Sequence, residues 1–232
     1  MREEREIYRE VLANLGHTKL GAAWLDISAQ FDHLDVYLAG GGLRNILVKR
    51  DPKDFDFFLG GSGIEKVLAR LADTGTIRYG PFGSPRWFPT DPSGVYCDVI
   101  PIRNFFNGLW RCEDILDVLN QFDFTANAVA VHLRTGVLHD PQNGRRDLTL
   151  QVMRAIRFDY PDEPISASNR LTRPAVVWFR ILHYAAILGF TIEPVTHEWI
   201  CRHSGFAEQL DDFVATFFPL HPAALAAVRR AC

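Results

Sequence analysis

Asp54 and Asp56 stand two residues apart in the run Asp54-Phe55-Asp56-Phe57-Phe58-Leu59. Side chains alternate faces along a strand, so the two acids are predicted on one face and Phe55, Phe57 and Leu59 on the other. Carboxylates one pleat apart repel each other and are eased by a hard divalent cation; all-oxygen ligands suit Mg²⁺. Just upstream, the apolar run Val36-Tyr37-Leu38-Ala39 meets Gly40-Gly41-Gly42, and a helix-like stretch follows from Leu43 to Val48. Helix N-termini carry backbone N–H groups without intrahelical partners, and these bind phosphate. A phosphate cradle beside a Mg²⁺-binding acid pair predicts phosphoryl or nucleotidyl transfer. Asp-x-Asp by itself is common in solvated loops. Here the surrounding phenylalanines imply a buried strand, and buried strands rarely hold two acids without a partner.

The elements that must position these residues can be read on both sides. Residues 2–15 carry Ile7, Val11, Leu12 and Leu15 at helical spacing, with Gly16 as the expected stop. Residues 35–140 hold the strand-like runs and the acids. Val95 to Ile102 reads as an apolar strand interrupted by Asp98, with Arg103 five residues later. The Pro- and Gly-rich stretch from Tyr79 to Gly94, which includes Arg86, Trp87 and Phe88, reads as a long loop or hairpin of the kind that touches substrate. Glu113 to Leu119 is predicted as a short helix, and Val129 to His139 as a hairpin turning at Thr135-Gly136. The character changes after Asp147. Leu148 to Phe158 has helical spacing and 159–169 reads as a linker. Pro174 suits the first turn of a helix running to Leu188 and closed by Gly189. Apolar residues almost encircle that helix, which predicts burial, and Arg180 and His183 share one of its faces.

Three ordered motifs resemble those of the class II tRNA CCA-adding enzymes and bacterial poly(A) polymerases, within the polymerase-β-like nucleotidyltransferase superfamily. The first is Gly40-Gly41-x-x-Arg44 with Asp54-x-Asp56; the second is Asp123-Phe124-Thr125-Ala126-Asn127-Ala128; the third is Asp140-Pro141-x-x-Gly144-x-x-Asp147-Leu148 with Arg154-Ala155. The resemblance spans about residues 33–195. It implies an α/β (α+β) head with a mixed sheet flanked by helices, followed by an all-α neck. The expected division is 1–30 as an N-terminal helical segment, 31–149 as catalytic head and 150–232 as neck. It also implies two Mg²⁺ ions on Asp54 and Asp56, with Asp98 as third carboxylate and orienter of the attacking hydroxyl. Gly40, Gly41 and Arg44 would hold phosphates, and Asp123 and Asn127 the nucleotide sugar, with a purely structural Asn127 left open.

The departures bear on substrate choice. Asn45 stands where the family has Asp, and Gln121-Phe122 where it has two arginines. The acids and arginine that read the incoming base in the CCA-adding enzymes fall on Arg173, Pro174 and Val177. Neither Pro174 nor Val177 has a side-chain hydrogen bond to offer, which leaves Arg180 and His183 as the candidate base contacts.

Composition bounds the rest. The 232 residues suffice for one large domain or two small ones. No apolar run approaches the roughly 20 residues that span a membrane. The charged start Met1-Arg2-Glu3-Glu4-Arg5-Glu6 has no signal-peptide core, and Cys97, Cys112, Cys201 and Cys232 form no zinc pattern. A cytoplasmic protein with reduced thiols is expected. The partners expected are an NTP and an RNA acceptor. The net charge of −3 predicts that the RNA is held weakly, although seven arginines from Arg145 to Arg180 bias the middle of the chain positive. With few residues beyond the neck, a dimer sharing an RNA surface is conceivable. Two other readings stay open: transfer to a protein or small molecule, and nucleotide or RNA binding without turnover.

Overall fold

The computed structural model describes residues 2–31, 33–80, 83–89, 95–165 and 170–231. The segments 81–82, 90–94 and 166–169 of the expected loop and linker lie outside the described residues. The chain divides into two compact units, one of 1–106, 111–120 and 127–142, the other of 107–110, 121–126 and 143–232.

The first unit is built on a seven-stranded mixed sheet. Its strands are β1 (Asp35–Ala39), β2 (Phe55–Gly60), β3 (Thr76–Tyr79), β4 (Pro85–Phe88), β5 (Cys97–Pro101), β6 (Ala130–His132) and β7 (Leu138–His139), in the order β3-β4-β5-β2-β1-β6-β7. Among the described residues of this sheet, only β2 and β5 pair in parallel. Helices α1 (Arg2–His17), α2 (Lys19–Ser28), α3 (Gly40–Leu47), α4 (Ile64–Thr74) and α5 (Ile115–Leu119) accompany it. Val11, Leu15, Leu20 and Trp24 of the first two helices enter one core with Leu38, Phe57, Val99 and Val131 of the sheet. Trp24 stacks on Phe57 with ring centroids 4.3 Å apart. Burying such a large apolar face is what anchors the middle strands. Gly16 does not stop α1, which runs one residue further; Thr18 caps the next helix by accepting from Gly21 N–H. The hairpin at Gly136 forms as its turn chemistry dictates, with φ +72° at that glycine.

The second unit is helical: α6 (Gly144–Leu150), α7 (Arg173–Leu188), α8 (Pro194–Arg202), α9 (Leu210–Thr216) and α10 (Pro222–Ala231). In α7, Pro174 lies in the first turn and Gly189 closes the helix in the left-handed region, with Trp178, Phe179 and Ile181 fully buried. The expected helix over 148–158 is displaced. The helix begins at Gly144 and ends at Leu150, where Gln151 adopts φ +55°. Beyond it the chain is extended, and β8 (Val152–Met153) pairs in parallel with β9 (Thr191–Ile192). The expected all-α unit therefore carries a short parallel pair as well. Both strands follow left-handed helix ends, and pairing satisfies main-chain groups released there.

Candidate active site

β1 ends at Ala39, and Gly40 turns the chain at φ +70° straight into α3. Ala39 pairs with Asp56 of β2, and Asp56 pairs in register with Asp98 of β5. Asp98 is opposite Arg86 of β4. Residues in register across neighbouring strands share a face, so Arg86, Asp98 and Asp56 form one row that ends at the N-terminus of α3. A Cβ on Gly40 would overlap the Asp56 carboxylate, lying 3.0 Å from its Cγ. Gly41 N–H donates to Asp56 Oδ2 at 3.2 Å, so one of the N–H groups expected to face phosphate is directed at the carboxylate. Gly42 permits a second close approach: a Cβ there would stand 2.7 Å from Asp54 O.

Asp54 lies in the bend just before β2, not within the strand as alternation predicted, and both Asp54 and Asp56 are half-buried. Asp98 accepts from Arg86 Nε at 3.1 Å and from Ser84 Oγ at 3.4 Å. Burial raises the Asp98 pKa, Arg86 opposes that rise, and the charge of Asp54 adds to it. Tyr96 is pushed up to about 12 by burial; Arg86 works against this, and Asp54, Asp98 and Asp56 reinforce it. The three acids thus act on common neighbours. Such an all-oxygen donor set fits Mg²⁺ in kind. Among the described residues no three His, Cys, Asp or Glu side chains already converge as a metal cage, and Asp98 is turned to Arg86. Arg103, five residues beyond Asp98, pairs instead with Glu113 at 3.2 Å on the surface.

Arg44 is buried. Its Nη1 donates to Asn127 Oδ1 at 2.9 Å, and its Nε and Nη2 donate to Asn45 Oδ1 at 3.2 and 2.9 Å. Asn45, a departure from the family pattern, is therefore a holder of Arg44. Asn127 links the first and second motifs within the sheet unit.

The remaining expected residues belong to the helical unit. Asp123 Oδ2 accepts from Arg180 Nε at 2.6 Å, and its Oδ1 from Phe124 N–H at 2.9 Å. The Arg180 guanidinium also lies over the Tyr184 ring, 5.3 Å from its centroid. His183 is buried; its Nδ1 accepts from His221 N–H at 3.0 Å and its ring packs on Phe218. Arg180 and His183 are thus both engaged inside their own unit. At the positions onto which the expected base-reading residues fall, Arg173 donates to Asn107 Oδ1 at 3.1 Å, while Pro174 and Val177 are buried.

Three features were missed in the sequence. Arg86 and Ser84 hold Asp98; the strand pattern through Pro85–Phe88 was the available signal, placing Arg86 in the sheet and Ser84 just before it. The third motif forms a buried network in which Asp147 Oδ2 accepts from Thr125 Oγ1 at 2.6 Å and from Arg154 Nε at 2.9 Å. The positive bias of the middle of the chain is largely spent internally, because Arg154, Arg157, Arg173 and Arg180 each have a partner in their own unit.

No protein-family model matches the chain. It is 28% identical over 193 residues to the "Multifunctional CCA protein" of Xanthomonas oryzae pv. oryzae, covering 78% of this chain and 42% of that protein. It is 33% identical over 186 residues to the protein of the same name from Stenotrophomonas maltophilia strain R551-3, covering 78% and 43%. The chain thus spans less than half the length of these relatives. A crystal structure of a tRNA nucleotidyltransferase with a primer tRNA and an incoming ATP analog matches with a TM-score of 0.60 at 24% identity, covering 82% of this chain and 53% of that one. That likeness shows a shared fold, a mixed sheet with flanking helices. Over most of its own length the chain is therefore similar to the CCA proteins, the class II group its motifs resemble.

Proposed function

We propose that this chain transfers a nucleotidyl group from an NTP to a 3′-hydroxyl, with RNA as the acceptor, in the cytoplasm. One observation carries the reading: Asp56 and Asp98 stand in register on adjacent strands directly below the Gly40-Gly41 turn into α3. Residues 31–149 would act as the catalytic head and 150–232 as the neck. Asp54, Asp56 and Asp98 would hold Mg²⁺, which when bound supplies charge neutralisation for the triphosphate. Asp98 orients the attacking 3′-hydroxyl by accepting its hydrogen bond. The hydroxyl oxygen forms a bond to the α-phosphorus as its proton passes to the Asp98 carboxylate, the bond from that phosphorus to the bridging oxygen breaks, and its electron pair leaves with pyrophosphate. Gly40 and Gly41 let the phosphates approach the backbone, and Arg44, fixed by Asn45 and Asn127, supplies fixed positive charge beneath them. Asp123 holds Arg180 for the nucleotide.

Base choice is proposed to depart from ordered C-C-A addition. A site that pairs with a base edge rejects others because a wrong base leaves buried polar groups unpaired. Pro174 and Val177 offer no such pairing. The choice of NTP then falls to Arg180, with His183 beside it, giving either relaxed choice or one preferred NTP.

The test offers tRNA lacking its 3′ end, each labelled NTP in turn and CTP with ATP together, and sequences the products. Homopolymeric or mixed ends that change in Arg180→Ala support the reading. Faithful C-C-A ends would refute the altered base choice. No incorporation into any RNA, with label instead on a protein or small molecule, would replace the acceptor; no label anywhere would leave a binding protein.

A further inference from the structure

Arg86 holds a position that the proposed chemistry leaves unassigned. Its Nε donates to Asp98 Oδ1 at 3.1 Å, and the pair is partly shielded from water, with side-chain exposures of 30% and 13%. Its guanidinium carbon lies 4.8 Å from the centroid of the Tyr96 ring. On another side it meets the backbone at Gly80, where an added Cβ would stand 3.0–3.2 Å from three guanidinium atoms. An aromatic ring, a bare glycine and a carboxylate therefore fix one cation beside Asp98. The cation stands at the end of the row that runs through Asp98 to Asp56. Asp54 adds its charge to the same neighbourhood. A fixed guanidinium on one of three acids neutralises the charge a divalent ion would otherwise meet, and it occupies one of the oxygens such an ion would use.

We propose that Arg86 is the resident counter-ion of this carboxylate row, and that a divalent cation binds by displacing it from Asp98. This inference rests on the reading of Asp54, Asp56 and Asp98 as cation ligands. Arg86 is then a positioning residue: it keeps Asp98 aimed across the row before the cation arrives, and it sets the cation's apparent affinity by competition.

The test is direct binding of Mn²⁺ to the full chain, followed by the loss of the free-ion electron paramagnetic resonance signal, with Mg²⁺ competition as a second measurement. Arg86→Gln removes the competitor and should tighten Mn²⁺ binding by at least about fivefold, the lower end for coupled sites. Arg86→Lys keeps the charge and should stay near wild type. Tyr96→Leu leaves every charge in place but loosens Arg86, and should tighten binding in the same direction by less. Lost packing alone would not raise cation affinity, so a merely structural role predicts no such gain. If wild type binds Mn²⁺, Asp56→Asn weakens it and neither Arg86→Gln nor Tyr96→Leu tightens it, the inference fails and the ligand reading stands. If Asp56→Asn binds as tightly as wild type, or no form binds at millimolar Mn²⁺, both fail.

Discussion

In the sheet unit, Asp98 shares one arginine with a row that also contains Asp56, and Asp54 adds further negative charge nearby. In the helical unit, Asp123 and Asp147 each sit against an arginine and a second donor, at distances of 2.6–2.9 Å. The first arrangement gathers carboxylates in one neighbourhood; the second cancels charge pair by pair. The difference teaches where binding and where rigidity reside. Gathered carboxylates favour an incoming cation. Paired, buried charges resist change, because removing either partner strands the other.

The sharpest way to break this comparison is Asp56→Asn. It removes charge from the row while keeping shape and the hydrogen bond that Gly41 N–H can give. Transfer should fall by several orders of magnitude, as expected when a metal-side carboxylate is lost. Thermal stability should stay near wild type or rise, since a repelling charge is gone. Near-normal turnover of the purified variant at millimolar Mg²⁺ would refute the assignment. Asp147→Ala should show the opposite profile. It strands the fully buried Thr125 hydroxyl and the Arg154 guanidinium, at a cost of about 3 kcal/mol. Urea denaturation should reveal that loss, and a variant as stable as wild type would show that the network contributes little.

Gly40→Ala probes the join between the row and α3. Alanine at φ +70° costs about 1–2 kcal/mol, and its Cβ would push the Asp56 carboxylate from its place. Transfer should drop at least about tenfold, with the several-degree fall in melting temperature that such strain brings. Gly41→Ala is the control for stability alone, since Gly41 is itself proposed to admit the phosphates. Its Cβ would lie 3.6–4.0 Å from the Arg44 guanidinium, an ordinary contact. Equal loss of melting temperature in both variants would mean that closeness to Asp56 is not what strains Gly40.

What could be read in the sequence follows the same division. The glycine turn and the strand through Asp56 were legible because conformational need and side-chain alternation are local properties, although Asp54 falls just short of that strand. Helix α7 was legible for the same reason, with proline at its start and glycine at its end. The row itself was not, because it depends on the parallel pairing of β2 with β5 and the antiparallel pairing of β4, contacts between residues distant in the chain. Arg86 therefore read only as part of a loop or hairpin, with no partner named; the hairpin is β3-β4, and the pairing of β4 with β5 sets Arg86 opposite Asp98. The helix expected over 148–158 failed for a different reason. Leu148, Val152, Ala155 and Ile156 have helical spacing, but Gln151 leaves the helix and the residues after it take partners elsewhere. Ile156 N–H donates to Asp123 O, and Ala155 N–H to Thr196 Oγ1. Tertiary hydrogen bonds outweighed a weak local preference. His183 shows the limit of face-sharing logic: it does lie near Arg180 on the helix, yet its ring is committed to His221 and Phe218.

The smallest effect belongs to a cap in the helical unit, and it carries a pH signature that sharpens the contrast between an acid favoured in its ionised form and one penalised in it. Glu193 precedes α8 and accepts from Thr196 N–H at 2.8 Å and from Thr196 Oγ1 at 2.9 Å. Thr196 Oγ1 in turn accepts from Ala155 N–H, so the cap also ties down the extended segment after β8. Burial pushes the Glu193 pKa up, but the hydrogen bonds from Thr196 and Val195 outweigh it and the net shift is downward. A lowered carboxylate pKa means that the folded state prefers the ionised form. Its contribution is therefore fully present above the ordinary glutamate value of 4.5 and is lost as pH falls through the lower folded value. Glu193→Ala should cost about 1 kcal/mol at neutral pH, the usual worth of a helix cap. The gap between variant and wild type should close on acidification below pH 4.5. Asp98 has the reverse sign: its raised pKa penalises the ionised form, so whatever it contributes is present in acid and lost as pH rises. Asp98→Asn should accordingly gain on wild type as pH increases from acid to neutral, while Glu193→Ala falls behind. Parallel melting curves of the two variants from acid to neutral pH would decide the matter, and curves that shift together would show that the two acids do not differ in the way their surroundings require.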